Sequence, residues 1–313
     1  MILKYLKLFL RQFLNYYDIL DLKKELQIIK KQLRNTRIVS QLQQKQLQFY
    51  YQNLLTRNLP LPKLSETGFR VFSQTEEDGI LHYIFSLIGT TSKICLDIAF
   101  KTPHGANTTN LILNHGWNGI LICGKKKHAN QTKQFFASHL HPWDMCLMAN
   151  FPVIYPKWIT PENINKVIQK GLNDLDIKDK EIDLFSLDID GMEYWIWNAL
   201  NIIEPRVVVV EYNPLMEDKS ITIPYKHDYK FKSFKNISLP IGASLPAYIK
   251  LAKKKGYRLV GVNSLCNNAF FVKNDIGKEI LPEISYKNGI PKRWDSIRKK
   301  LWDEIKDFEF VQI

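Results

Sequence analysis

Asp183-Leu-Phe-Ser-Leu-Asp-Ile-Asp-Gly-Met-Glu-Tyr-Trp-Ile-Trp197 is followed closely by Pro205-Arg-Val-Val-Val-Val-Glu-Tyr-Asn-Pro214. Each segment reads as an apolar strand ending in acids, with a helical stretch between them. That pattern predicts a parallel β-α-β unit. In such sheets ligands bind at the carboxyl ends of the strands. The reading therefore brings Asp188, Asp190 and Glu211 to one mouth. Asp188 and Asp190 stand two apart, so on an extended segment they point the same way. With Glu211 they form a candidate cradle for a hard cation such as Mg2+, and one carboxylate is a candidate general base. Asp190 and Glu193 also have capping-box spacing, which would make Asp190 merely the N-cap of the next helix. Trp195 and Trp197 on that helix are expected in the core. Asn213, His227 and Asn268 are weaker site candidates.

Working outward, the same alternation continues. An amphipathic helix is expected over Gln74–Phe85, a strand at Lys93–Ile98, a helix over about Asn107–His115, and a strand at Gly119–Cys123. Met145–Ala149 reads as a short strand. Thr160-Pro161 reads as a helix start, with Thr as N-cap and Pro at the first position. Gly242-Ala-Ser-Leu-Pro leads into a helix that stops at Gly256, a residue suited to the left-handed position after a helix. Tyr257–Gly261 and Ala269–Lys273 read as a closing antiparallel hairpin. Five alternating strands plus such a pair predict a mostly parallel α/β sheet with helices on both faces. The expected organisation is a helical arm over 1–59, an α/β domain over 60–280 and a helical extension over 281–313.

Charge separates the arm from the body. Residues 1–59 hold 11 Lys and Arg against 3 Asp and Glu, a net +8; the remainder holds 33 against 28, a net +5. Residues 1–57 contain neither Gly nor Pro, and Leu3, Leu6, Leu10, Phe13, Tyr17 and Leu20 follow steps of three and four. Leu22, Leu26, Ile29 and Leu33 restart the pattern in a shifted phase, as in a coiled-coil seam with one break. Packing or self-association through the arm, and contact with an anionic membrane surface, are both expected partners; nucleic acid gains no support from the glutamine-rich stretch at 41–52. The opening residues are interrupted by Lys4, Lys7 and Arg11, too soon for a bilayer span. Cys95, Cys123, Cys146 and Cys266 stand far apart, without metal-ligand spacing. His139-Leu-His141 lacks a third ligand nearby. Reduced thiols in a cytoplasmic protein, at most peripheral to a membrane, are the expectation.

Several strings carry a resemblance when taken in order: Ser73-Gln-Thr-Glu-Glu-Asp-Gly-Ile80, Asn114-His-Gly-Trp-Asn-Gly-Ile120, Leu187-Asp-Ile-Asp-Gly191, Pro205–Asn213, Gly242-Ala-Ser-Leu245 and Asn268-Ala-Phe-Phe-Val272. Over about residues 70–275 the chain resembles S-adenosylmethionine-dependent methyltransferases of an FkbM-related bacterial branch. The resemblance implies a Rossmann-like, seven-stranded, mostly parallel sheet. It implies S-adenosylmethionine as cofactor, and transfer of its methyl group to a sugar or other polar small molecule or glycan. It also implies a cofactor site on the first two strands, at Asp97, Ala99, Gly105, Asn107, Cys123 and Gly124.

The chain departs from the family pattern at four positions around this site. Ala99 and Lys101 stand where the family has glycines. Cys123 and Lys125 stand where acids are expected to hold the ribose. A missing carboxylate removes a charge-assisted hydrogen bond worth about 1.5–3 kcal/mol. The departures leave three expectations side by side: an O-methyltransferase using Asp188, Asp190 and Glu211; a non-catalytic binding or scaffold protein of the same fold; and a site in which Lys125, Lys126 and Lys127 receive a phosphate.

Overall fold

The computed structural model describes residues 40–98, 102–140, 151–229, 242–289 and 295–313. The chain divides into two units, Met1–Tyr50 and Tyr51–Ile313. Residues 40–56 are helical; the expected arm up to residue 39 lies outside the described residues. So do the expected strand at Met145–Ala149, and Ala99, Lys101, His141 and Cys146.

Most elements follow the expected alternation, but the helix after the second strand and the strand at Val153–Pro156 were not expected from the sequence. Helix α1 (Glu77–Ile88) precedes β1 (Ile94–Ile98), α2 (Thr109–His115), β2 (Asn118–Cys123) and α3 (Lys126–His139). Then come β3 (Val153–Pro156), α4 (Ile164–Asp174), β4 (Glu181–Leu187), α5 (Glu193–Ala199) and β5 (Glu204–Glu211). The chain continues through β6 (Ile221–Thr222), α6 (Leu245–Lys255), β7 (Tyr257–Val262), β8 (Asn268–Lys273), α7 (Tyr286–Gly289), α8 (Asp295–Ile305) and β9 (Val311–Gln312).

Seven strands form one sheet in the order β3-β2-β1-β4-β5-β8-β7. All neighbours are parallel except β8, which runs antiparallel to both β5 and β7. This is the mostly parallel seven-stranded α/β sheet expected of a Rossmann-like methyltransferase fold. The central strands are buried on both faces, which explains their unbroken apolar runs. Val207, Val208, Val209 and Val210 are all within 1 % of full burial, and their branched side chains suit a pleated sheet.

Local chemistry sets several boundaries. Ser244 caps α6 by accepting from the Ala247 amide, and Gly256 ends it in the left-handed region at φ 85°. The expected start at Thr160 is displaced: α4 begins at Ile164 with Asn163 at its N-cap. Thr160 to Asn163 instead make a turn, in which the Thr160 amide donates to the Asn163 side chain. The described third strand is Val153–Pro156, beside β2. The extension over 281–313 is not helical to its end, because β9 pairs antiparallel with β6. A two-residue strand carries too little periodicity to be legible in sequence.

The string Ser73–Ile80 proves to be a structural knot. One Asp78 oxygen accepts from the amides of Val71, Phe72 and Ser73. Glu77 accepts from the side chains of Asn263 and Asn268. The segment before α1 is thereby tied to the β7–β8 hairpin.

Candidate active site

Register brings the acids together. Leu187 of β4 lies opposite Ile98 of β1 and Val210 of β5. One residue further on, Asp188 and Glu211 therefore leave the same edge side by side. Carboxylate oxygens of Asp188, Asp190 and Glu211 all lie within 4.8 Å of one another. All three residues are half-buried.

The loop that presents Asp190 is not extended. Asp190 has φ 62° and Gly191 has φ 143°. Asp tolerates the left-handed region better than most side chains, whereas the Gly191 conformation is essentially reserved to glycine. A Cβ on Gly191 would also stand 2.5 Å from the Tyr229 ring. The two aspartates are thus brought together by a turn and not by strand alternation. Nor is Asp190 the N-cap: Met192 holds that position, with no side-chain cap. Glu193 does the securing, because its carboxylate accepts from the amides of Ile189 and Gly191 at 2.8 and 2.9 Å. Glu193 was legible only as a capping-box partner, and its reach back to this loop is what that spacing was signalling.

The electrostatics follow from crowding four carboxylates away from water. Burial, with the Asp188 charge beside it, pushes Glu193 up to about 8. Burial also pushes Glu211 well above the usual carboxylate range, and a hydrogen bond shared with Asp188 adds to this. The second Glu211 oxygen, Oε2, is buried without a hydrogen-bond partner among the described residues. Three clustered carboxylates and an orphaned acceptor fit a hard divalent cation by donor type and spacing.

A cavity of about 780 Å³ adjoins this edge, within the range of small-molecule sites. Its floor includes Ile98, Gly124 and Asp190, from the ends of β1, β2 and β4. Trp158, Tyr225 and Tyr229 supply aromatic wall. Sequence reading missed all three, because they sit in loops without periodicity.

Of the residues expected around a cofactor, Gly124 lines this cavity. Asp97 is buried, accepting from the Thr108 hydroxyl at 2.8 Å, and burial pushes it up to about 7. The Asn107 amide donates to the Ser186 hydroxyl. Gly105 bridges to Ser73, and its amide donates to the Phe72 carbonyl. Cys123 is fully buried, its thiol 4.0 Å from the Thr132 hydroxyl beneath α3, and burial pushes it up to about 11.

The remaining candidates have plainer places. Asn213 caps the turn at Pro214–Met216 through the Leu215 amide. Asn268 donates to Glu77. His227 lies on the cavity rim, 3.6 Å from Glu162. His139 stacks on Phe135. Trp197 is buried as expected, whereas Trp195 is half-buried and donates to the Ile223 carbonyl.

No family model matches the chain, and no curated protein matches it. Among solved structures, the chain is similar to an O-methyltransferase from Bacillus cereus described in complex with SAH. The identity is 12 %, the TM-score 0.37, and the match covers 66 % of this chain and 85 % of that one. Among the described residues no helix is long and apolar enough to cross a membrane.

Proposed function

We propose that this chain is an S-adenosylmethionine-dependent methyltransferase acting on a hydroxyl of a polar small molecule, such as a sugar. The observation that carries the reading is the carboxylate cluster of Asp188, Asp190 and Glu211. It stands at the carboxyl edge of a sheet of this type, beside a cavity of ligand size.

In this reading the bound donor supplies an electrophilic methyl carbon. Asp188 accepts the proton of the acceptor hydroxyl as general base. Glu211, held protonated by burial, donates a hydrogen bond to Asp188 and steadies the carboxylate that receives the proton. Glu193 holds the Asp190–Gly191 turn, so that Asp190 faces the cavity. Tyr229, packed on Gly191, keeps water from the turn. Asp97, Asn107 and Gly105 act beneath the cofactor by stiffening its loop, and Gly124 offers backbone at the cavity wall. In the alternative arrangement, with all three ionised, Asp188, Asp190 and Glu211 would hold a divalent cation such as Mg2+, whose chemistry there would be to polarise the acceptor oxygen.

Calorimetry with S-adenosylhomocysteine tests the reading; no heat at millimolar ligand sinks it. That outcome would leave a second reading, a non-catalytic binding protein of the same fold. The buried Cys123 thiol and the cavity-lining Lys125 favour it, since neither offers the ribose an acid. The arm over residues 1–57 is proposed as a self-association segment, and a monomer by sedimentation would remove that role.

A further inference from the structure

We propose that residues 224–229 form a hinged strap over the Asp190–Gly191 turn, latched by the Tyr225 hydroxyl on the Glu162 carboxylate, whose opening exposes that turn and the cavity. The strap does not depend on methyl transfer.

The segment is held unevenly along its length. Its base is well tied. The Ile221 amide donates to the Ser244 hydroxyl, and the Ile221 carbonyl accepts from the Ser244 amide. The Ile223 amide donates to the Gly242 carbonyl, and the Ile223 carbonyl accepts from the Trp195 ring nitrogen at 2.9 Å. Pro224 comes next, with a fixed φ and no amide to donate. Beyond it the Tyr229 amide closes a turn on the Lys226 carbonyl. Among the described residues no backbone hydrogen bond ties 224–229 to another element. A stretch held so sparsely opens at lower free energy than the core it leaves.

Side chains hold the rest. The Tyr225 hydroxyl donates to the Glu162 carboxylate and lies 2.9 Å from both of its oxygens. That bond joins two walls of the cavity. Trp158, Ile159, Thr160 and Pro161 line it from the loop that carries Glu162, and Tyr225 to Tyr229 line it from the strap. His227 Nδ1 stands 3.3 Å from the same hydroxyl and 3.6 Å from Glu162. Burial and the bond to Glu162 push the Tyr225 phenol up to about 12, so it keeps the proton it donates. The far end of the strap bears on the acids. Tyr229 covers Gly191 so closely that a Cβ there would lie 2.5 Å from its ring. Beneath that ring the buried Gly191 amide donates to Glu193 at 2.9 Å. A latched strap therefore seats Tyr229 on the turn that presents Asp190, and an open one lifts the cover, as loops that gate ligand sites do.

Hydrogen exchange of the Gly191 amide, read by NMR on the full chain without ligand, tests the proposal. Tyr225→Phe keeps the ring and removes the donated proton. Glu162→Ala removes the acceptor, which is not itself part of the cavity lining. Each is expected to speed Gly191 exchange by about threefold to tenfold and to leave the Val208 amide in the centre of the sheet unchanged. The double variant should be no faster than the faster single one. Unchanged Gly191 exchange in both variants, or equal acceleration at Val208, overturns the strap. Additive acceleration would mean that the two side chains act apart, and overturns the latch. Glu162→Ala should also speed association and dissociation of S-adenosylhomocysteine alike, by about threefold, with affinity within about twofold of the parent. Unchanged rates beside faster Gly191 exchange would show that the strap does not guard entry. Expected exchange without any S-adenosylhomocysteine binding would remove methyl transfer and leave the strap standing.

Discussion

Asp188 and Gly191 carry separate burdens within four residues. Asp188 is the proposed base, so Asp188→Asn should lower methyl transfer by about a hundredfold or more. Affinity for S-adenosylhomocysteine should stay within about twofold of the parent. Loss of both together would mean that the side chain holds the loop and not the proton. Gly191 is conformational. Gly191→Ala places a methyl group against Tyr229 and asks alanine for φ 143°. It should cost about 1–3 kcal/mol, read as a lower urea midpoint. An unchanged midpoint would show that the turn relaxes freely.

At the scale of elements, Asp183 and Arg206 clamp the amino-terminal side of the sheet. Arg206 on β5 donates to Asp183 on β4 at 2.8 Å and to the carbonyls of Ile88 and Gly89. Asp183 also accepts from the amides of Thr91, Ser92 and Lys93. Both side chains are buried. Breaking such a pair from one side leaves a buried charge, so Arg206→Ala should destabilise by about 3–5 kcal/mol. A double replacement by apolar residues should cost less than the sum of the single changes, in denaturant titrations. Additive costs would mean that each side chain is held by its backbone partners alone. Asp183 opens the quoted stretch, yet it serves folding, at the opposite end of its strand from Asp188. Strand polarity told the two acids apart, and that much was legible. The displaced start of α4 was not, since the Thr160-Pro161 pair imitates a helix start while the cap falls at Asn163, three residues on. Which of them ends the turn is decided by burial of Ile164 and Ile168 against the sheet.

For the whole molecule, clustered acids make stability depend on pH. Burial holds Glu193 at about 8 against an ordinary 4.5, and Asp97 at about 7 against 3.8. An acid whose folded pKa is raised binds its proton more tightly folded than unfolded. Its contribution is full below the unfolded value and is lost as pH rises through the folded one. The thermal midpoint should therefore fall between about pH 5 and about pH 8, and Glu193→Gln should flatten the upper part of that fall. A rising midpoint over this window would contradict the assigned burial. A cation held by Asp188, Asp190 and Glu211 would need them ionised, so Mg2+ should raise the midpoint more at about pH 8 than at about pH 5. Identical melting with and without Mg2+ at both values would remove the cation from this site.

By itself the sequence determined the alternation of strands and helices, the antiparallel closing pair, and the edge at which Asp188 and Glu211 emerge. These depend on the period of apolar residues and on strand direction, both local properties of a chain. The tertiary structure alone decided where side chains converge. It turned Cys123 into the core, set Glu193 to hold the Asp190–Gly191 turn, and gathered Trp158, Tyr225 and Tyr229 around one cavity. Those outcomes depend on contacts between residues far apart in the chain, where loop conformation and burial act and periodicity carries no information.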